Sequence, residues 1–340
     1  MPVSVSYHIL CYGTTIVPYA RLAARQIKYH SAKIDNTHPR VYIHLDAVGD
    51  YGNNSGDDRS LIKWNDWLSQ DNRIIVTTGL LNRFEPGLRR KWVFARQGVA
   101  YYGPIHQLAV NNVLREFSSD EFVCFVDADC FLTDSNWFHY IESESGAEIY
   151  CLTRGLRTID SSATLNGQTL RSNLTELYAV NPRIHCSIQF QNQTLDDPKA
   201  IIRLKSEFPR MRFNDHFYLD SGVLHALKAQ ALGFKLKNIF AEDMACHIGG
   251  AGHMRPEYFR RDSGNLHPPE FWIQRLRLNL NALDFFKSLG WEEMIDHSYD
   301  QRIRASYDYV INDSKTKYLF ETLPKTWDEK GFELVKSQAG

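Results

Sequence analysis

The sequence predicts an α/β fold in which a mostly parallel sheet is flanked by helices and followed by a helical C-terminal appendage. Two observations in the first half of the chain indicate this class: apolar runs alternate with amphipathic stretches, and the runs have few polar interruptions. A third observation is the helical periodicity from Pro268 to about Tyr318. Near-continuous apolar strands separated by helices are typical of a parallel sheet covered on both faces.

The first half of the chain supplies the alternating elements. Strand-like runs end near Gly13, Asp46 and Gly79, and a further run is EFVCFVDADCFL at 121–132. Between the runs, apolar residues recur at helical spacing over 18–29, 61–68 and 105–117.

The second half is less regular. IYCLTR at 149–154 indicates another strand, and HFYLDSGVLHALKAQALGF at 216–234 indicates a strand, a turn and a helix. Residues 155–215 show few clear periods. The domains we expect are a main domain at 1–265, with halves at about 1–135 and 136–265, and a helical extension at 266–340.

Composition indicates a soluble globular protein. Hydrophobic residues make up 43% and charged residues 23%, which excludes a wholly disordered or fibrous chain. The 39 basic and 40 acidic side chains give a net charge of −1, which argues against a general nucleic-acid partner. We see no secretory signal and no apolar run of ~20 residues. Six scattered cysteines without a C-x-x-C pair fit reduced thiols, so we expect a cytoplasmic protein or a peripheral one on the cytosolic face of a membrane.

Asp127 and Asp129 are the first candidates for chemistry. They end the apolar run 122–126, where two carboxylates carry a large desolvation cost unless something compensates them. Residues two apart on a strand face the same side, so both side chains reach one cation if the strand persists there. The alternative is a turn or a helix cap, where aspartate is also favoured. The carboxyl end of a strand is where open α/β sheets bind ligands, which favours the cation site.

The second candidate is the segment AEDMACHIGGAGH. Glu242 and Asp243 precede His247, and His253 follows among glycines that permit unusual backbone torsions. A histidine with carboxylates suits a divalent cation that keeps open positions for substrate phosphates. The alternative for either histidine is a hydrogen-bonded loop residue, and the pattern leaves open which of the two is a ligand.

In this order, the segments resemble the GT-A glycosyltransferases, Rossmann-like enzymes that transfer a sugar from a nucleotide-sugar. The resemblance covers residues 5–255 and rests on four motifs: Asp-x-Asp after a central strand, the later LDSG, the Glu-Asp pair, and HIGGAGHMRP. The last is similar to the His-x-x-Gly-x-x-Lys-Pro pattern of one retaining branch. In one alignment of this segment, His253 occupies the position of the lysine in that pattern, so the sequence does not decide between the branches.

The resemblance implies a metal site and a donor site. Asp129 and His247 would ligate Mn²⁺ or Mg²⁺, and Asp127 would bind the ion through water or the ribose hydroxyls. A nucleoside-diphosphate sugar, a UDP-sugar being favoured, would lie in the half at 1–135 and the acceptor in the half at 136–265. The residues implied to bind the nucleotide are Tyr12, Gly13, Thr14 and Asp46.

The resemblance also implies an inverting reaction, which the Glu-Asp pair favours although HIGGAGH points to retention. Asp243 would deprotonate the acceptor hydroxyl, Glu242 would hold the acceptor, and Asp220 is a competing candidate for contacting either sugar. Arg89 and Arg96 belong to a basic cluster with Arg90 and Lys91 that would clamp the diphosphate or an anionic acceptor; a solvated loop is the alternative.

The function implied is transfer of a sugar to a hydroxyl of a glycan or glycolipid. One rival is a sugar-nucleotide nucleotidyltransferase, but CYGTTIVPYARLAARQ lacks the glycine-rich basic segment typical of that class. Another is a catalytically silent binding module on the same scaffold. We expect the helices after Pro268 to pack on their own domain or on a second copy of the chain, and contact with a membrane surface is the alternative.

Overall fold

The structure is a computed structural model of the chain. It describes residues 4–11, 14–34, 38–45, 58–78, 80, 102–143, 146–153, 162–171, 176–186, 202, 205–213, 223–241, 243–249, 254–259 and 268–339. The strands within these residues are β1 (Val5–Cys11), β2 (Arg40–Leu45), β3 (Ile75–Thr78), β4 (Phe122–Val126), β5 (Cys130–Leu132), β6 (Ile149–Thr153), β7 (Ser162–Leu165), β8 (Gln168–Arg171), β9 (Leu177–Val180), β10 (Arg212–Phe213), β11 (Leu236–Phe240) and β12 (Ala245–His247). The α-helices are α1 (Val17–Ser31), α2 (Asp58–Ser69), α3 (Tyr102–Glu116), α4 (Asn136–Ser143), α5 (Val223–Ala231), α6 (Pro269–Ser288), α7 (His297–Asn312), α8 (Ser314–Thr322) and α9 (Trp327–Gln338).

A seven-stranded sheet in the order β11-β6-β9-β4-β1-β2-β3 forms the centre of the fold. All of its strands run in one direction except β9, which lies antiparallel between β4 and β6. The predicted fold class, a mostly parallel sheet flanked by helices, is therefore confirmed. The sequence did not predict β9, because its four residues lie in the stretch with few clear periods.

The strand order reverses beside β1. From β1 the chain proceeds to β2 and β3 on one side, whereas β4 pairs with β1 on the other side. In open α/β sheets, ligands bind at the carboxyl ends of the strands at such a reversal. Asp127 follows β4 directly, so the topology places it at this edge.

Both faces of the sheet are buried. β1 and β4 are buried along their whole length. In β4 this explains an apolar run without a period of two, whereas β1 also buries the polar side chains of Ser6 and His8. One face packs against α1 and the C-terminal helices, and the other packs against α3 and α5.

The C-terminal helices pack on the chain itself. α6 and α9 contribute Leu276, Phe286 and Phe332 to the same core as β1 and β4, as expected for helices that cover their own domain. α9 crosses β12 so closely that a Cβ at Gly331 would lie 2.8 Å from the Cβ of Cys246. The boundary at 265 stays a prediction. Within the described part of the chain, no helix combines the length and apolar character needed to cross a membrane.

The cysteines are consistent with the thiols expected from the sequence. Among the described side chains, five cysteines are buried and outside any disulfide, namely Cys11, Cys124, Cys130, Cys151 and Cys246. Burial suits a thiol that packs as a small hydrophobic group.

Candidate metal site

Asp127 and Asp129 lie in a tight turn at the end of β4. The backbone N–H of Cys130 donates to the carbonyl of Asp127 at 3.0 Å, and β5 begins at Cys130. The strand therefore does not persist through both aspartates, and the turn that the sequence left open as an alternative is the one observed. The turn nevertheless leaves both carboxylates near one point, so the two interpretations are compatible.

His247 reaches this turn through a two-stranded ladder. β12 pairs antiparallel with β5 so that His247 lies opposite Cys130, next to Asp129. Its Nε2 atom lies 3.1 Å from Oδ1 of Asp129. The backbone N–H groups of Ile248 and Gly249 also donate to Asp129, to its carbonyl and to its carboxylate respectively.

Together these residues form a group that fits a cation. One ligand atom from each of Asp127, Asp129 and His247 lies within 4.8 Å of the others, and all three residues are half-buried. A set of two carboxylates and one imidazole is a reasonable ligand set for a divalent ion. The three metal residues predicted from the sequence are thus brought together.

Glu176 adjoins the group through His247, and the sequence analysis missed it. Glu176 directly precedes β9, whose first residue, Leu177, pairs with Val126. Glu176 therefore lies opposite Asp127. The backbone N–H of Asp127 donates to the Glu176 carbonyl at 2.9 Å. Its Oε1 atom lies 3.2 Å from Nδ1 of His247. The available signal was a charged residue directly before the short apolar run LYAV.

The electrostatics of the group also favour a cation. Burial alone would lower the pKa of His247, but the carboxylates of Asp129 and Glu176 outweigh it and raise that pKa to about 9. Burial alone would raise the pKa of Asp129, but His247 and Arg275 hold it below its ordinary value. With Asp127 included, three carboxylates surround one imidazole, and this excess of negative charge suits a divalent ion.

Asp243 is placed away from this group. It is exposed, and its carbonyl accepts a hydrogen bond from the Thr133 hydroxyl at the end of the β5–β12 ladder opposite to His247. Asp243 lies in a turn two residues before β12 begins, whereas His247 is the last residue of that strand. Its role as a base therefore stays a prediction without support from the position of its side chain.

Most of the other predicted site residues lie outside the described part of the chain. These are Tyr12, Gly13, Asp46, Arg89, Arg96, Asp220, Glu242 and His253. Thr14 begins a short 3-10 turn before α1, and the structure describes its backbone only.

No protein-family model matches the chain, and no curated protein matches it by sequence. Several solved structures resemble it at low identity. The galactosyltransferase LgtC, in complex with donor and acceptor sugar analogs, is 11% identical with a TM-score of 0.38, over 81% of this chain and 95% of that one. Glucosyl-3-phosphoglycerate synthase from Mycobacterium tuberculosis, in complex with Mg²⁺ and uridine diphosphate, is 13% identical with a TM-score of 0.36, over 72% of this chain and 71% of that one.

A third similar structure is the bifunctional glycosyltransferase WbbM. It is 8% identical with a TM-score of 0.35, and the match covers 70% of this chain but only 38% of that one.

Proposed function

We propose that this chain is a metal-dependent glycosyltransferase that moves a sugar from a nucleoside-diphosphate sugar to a hydroxyl of a glycan or glycolipid. The observation that carries the proposal is the group formed by Asp127, Asp129 and His247 at the carboxyl end of β4. This group lies beside the reversal of strand order, where open α/β sheets bind their ligands. The motif order that resembles GT-A enzymes supports the same assignment.

The ligand atoms for Mn²⁺ or Mg²⁺ would be carboxylate oxygens of Asp127 and Asp129 and the Nε2 atom of His247. A divalent ion held there supplies positive charge against the diphosphate leaving group as the glycosidic bond breaks. The protein contributes the fixed positions of these side chains. Gly249 holds the Asp129 carboxylate through its N–H at 3.1 Å, and Glu176 lies against the far nitrogen of His247.

A UDP-sugar is the favoured donor, and inversion is the favoured stereochemistry. Both stay predictions that follow from the resemblance of the sequence to GT-A enzymes. The stereochemistry is testable by NMR of the product anomer once a donor is identified.

The test measures release of the nucleoside diphosphate from a panel of nucleotide-sugars, with a mixed glycan acceptor and either Mn²⁺ or EDTA. We compare the wild type with Asp129→Asn, which changes the metal-binding group. Asp134→Asn is the control, because it removes one carboxylate charge from the same region of the chain. The Asp134 carboxylate accepts a hydrogen bond from the backbone N–H of Asn136, two residues along the chain, so its replacement leaves the metal-binding group intact.

We expect Mn²⁺-dependent release of the nucleoside diphosphate from one of the nucleotide-sugars. Asp134→Asn should retain this activity. Asp129→Asn should reduce it ~100-fold or more, which is the effect of losing one group that stabilises developing charge. Absence of turnover with every donor, in protein that binds Mn²⁺ and nucleotide, would instead identify a silent binding module. Release of pyrophosphate from a nucleoside triphosphate and a sugar phosphate would identify a nucleotidyltransferase.

A further inference from the structure

Two ion pairs join the C-terminal helices α6 and α9. Arg275 pairs with Asp328 at 3.2 Å, and Arg277 pairs with Glu329 at 2.8 Å. In both pairs the arginine comes from α6 and the carboxylate comes from the first turn of α9. All four side chains are largely buried, so the pairs are closely matched in chemistry and environment.

The Arg275–Asp328 pair binds the backbone of the candidate metal ligand. The N–H of His247 donates to Oδ1 of Asp328 at 2.9 Å, and Nη1 of Arg275 donates to the carbonyl of His247. The same Nη1 also donates to the carbonyl of Ile248 at 2.7 Å. One ion pair therefore satisfies both polar backbone groups of His247.

The polar contacts described for the Arg277–Glu329 pair go to other parts of the chain. Arg277 donates to the carbonyls of Phe320 and Leu323, at 3.2 and 2.9 Å, which lie within the C-terminal helical region itself. Glu329 completes the capping box of α9 with Thr326. The hydrogen bonds described for this second pair therefore lie within the C-terminal helical region.

α6 makes a further contact with the segment that follows His247. Asn279, one turn after Arg275, donates to the carbonyl of Gly249 at 3.1 Å. A Cβ at Gly249 would lie 3.3 Å from the Arg275 guanidinium, so the segment passes directly over this side chain. Residues 247–249 are thus held along one face of α6.

We propose that Arg275 and Asp328 are positioning residues that fix His247 for metal binding, so that the C-terminal helices are part of the metal site. This inference rests on the proposed function. A buried ion pair is a weak source of stability, because the cost of desolvating two charges offsets much of their attraction. Here the pair also satisfies a part-buried backbone N–H, a part-buried carbonyl and a buried carbonyl, each of which needs a partner.

Replacement of Arg275 tests the positioning role, because positioning and charge predict opposite changes in cation affinity. The positive charge of Arg275 lies close enough to Asp129 to lower the pKa of that carboxyl. The same charge repels a cation bound there, so if charge alone mattered, removal of Arg275 would strengthen cation binding. If Arg275 instead positions His247, its removal weakens cation binding. The two effects have opposite directions.

The experiment titrates Mn²⁺ into the full chain and follows the EPR signal of the free ion. The variants are Arg275→Gln and Asp328→Asn, with Arg277→Gln and Glu329→Gln as matched controls and Asp129→Asn as the reference for loss of the site. Circular dichroism checks the fold of each variant. The visible spectrum of bound Co²⁺ reports the coordination geometry independently of activity.

We expect Arg275→Gln and Asp328→Asn to raise the Mn²⁺ dissociation constant about 10-fold to 100-fold, the range typical of residues that orient metal ligands. The two controls should stay within about 3-fold of the wild type, a range below the effects measured for such residues. Should Arg275→Gln fail to fold, Arg275→Lys keeps the charge without the forked donors and is expected to weaken binding in the same direction.

The two possible failures are distinct. Tighter or unchanged Mn²⁺ binding in folded Arg275→Gln and Asp328→Asn overturns the positioning role while leaving the metal site in place. If the wild type binds no Mn²⁺, or binds it only as weakly as Asp129→Asn does, the proposed function fails.

Discussion

Nδ1 of His247 lies 3.2 Å from Oε1 of Glu176. The other ring nitrogen, Nε2, lies 3.1 Å from Asp129 and belongs to the group that fits a cation. A metal-binding histidine usually donates its second ring N–H to a carboxylate or carbonyl, which fixes the tautomer and the ring orientation. Glu176 is placed to accept such a proton, so that Nε2, once it has lost its own proton, offers its lone pair to the metal.

Replacement of Glu176 by alanine should weaken Mn²⁺ binding about 10-fold to 100-fold, because the imidazole loses its orienting acceptor. Isothermal titration calorimetry measures the effect. Glu176→Gln removes the same charge but keeps an acceptor oxygen, so it should recover part of the affinity. Equal losses in the two variants would mean that Glu176 acts only through its charge.

Gly249 should be needed for both conformation and metal binding. Its φ of +63° is costly for other residues, and its N–H holds the Asp129 carboxylate. Gly290 has a similar φ of +71°, and a Cβ added there would meet no atom within 4 Å, so Gly290→Ala is a matched control for strain. Each alanine variant should lose ~1–2 kcal/mol of unfolding free energy in urea titrations.

Only Gly249→Ala should also weaken Mn²⁺ binding, since an added Cβ would press on the Arg275 guanidinium at 3.3 Å. The same Mn²⁺ titration on both variants provides the comparison. Comparable metal affinities in the two variants would contradict a specific role for the Gly249 backbone.

The sequence predicted the parallel framework well because that framework depends on local pattern. The apolar runs at β1, β2 and β4 and the helical spacing of α1 were each visible within one segment. The β7–β8 hairpin was missed, although Asn166-Gly167 is a hairpin signal and both residues have positive φ.

The metal group was predictable only in part. Asp127 and Asp129 were found from two charges at the end of an apolar run, and His247 was found through the resemblance to a known motif. Glu176 and Asp328 were not found, because they contact His247 through pairing and packing of distant segments. Such contacts depend on strand register and helix placement, which no local pattern reports.

His30 should make the protein less stable in mild acid. Burial, with a smaller contribution from Lys33, lowers the pKa of this side chain to about 4, whereas an unfolded histidine titrates near ~6.5. Between these values the unfolded chain binds a proton that the folded chain does not, so the free energy of unfolding falls as the pH falls.

His30→Gln removes this dependence. From about pH 7.5 to about pH 5, the wild type should lose up to ~2 kcal/mol more unfolding free energy than the variant does, as measured by urea titration. Equal losses in the two proteins would show that His30 takes up its proton as readily in the folded state as in the unfolded state.

The central claim is that Asp127, Asp129 and His247 hold a divalent ion that binds the diphosphate of a nucleotide. The most direct test is thermal denaturation of the wild type and Asp129→Asn with nucleoside diphosphates, in Mn²⁺ and in EDTA. At 100 times its dissociation constant, a nucleotide stabilises the folded state by ~2.7 kcal/mol, which shifts the midpoint by several degrees. We expect this shift with one nucleotide, uridine diphosphate being favoured, in the wild type with Mn²⁺ only. An equal shift in EDTA or in Asp129→Asn, or no shift with any nucleotide in folded protein, would contradict the claim.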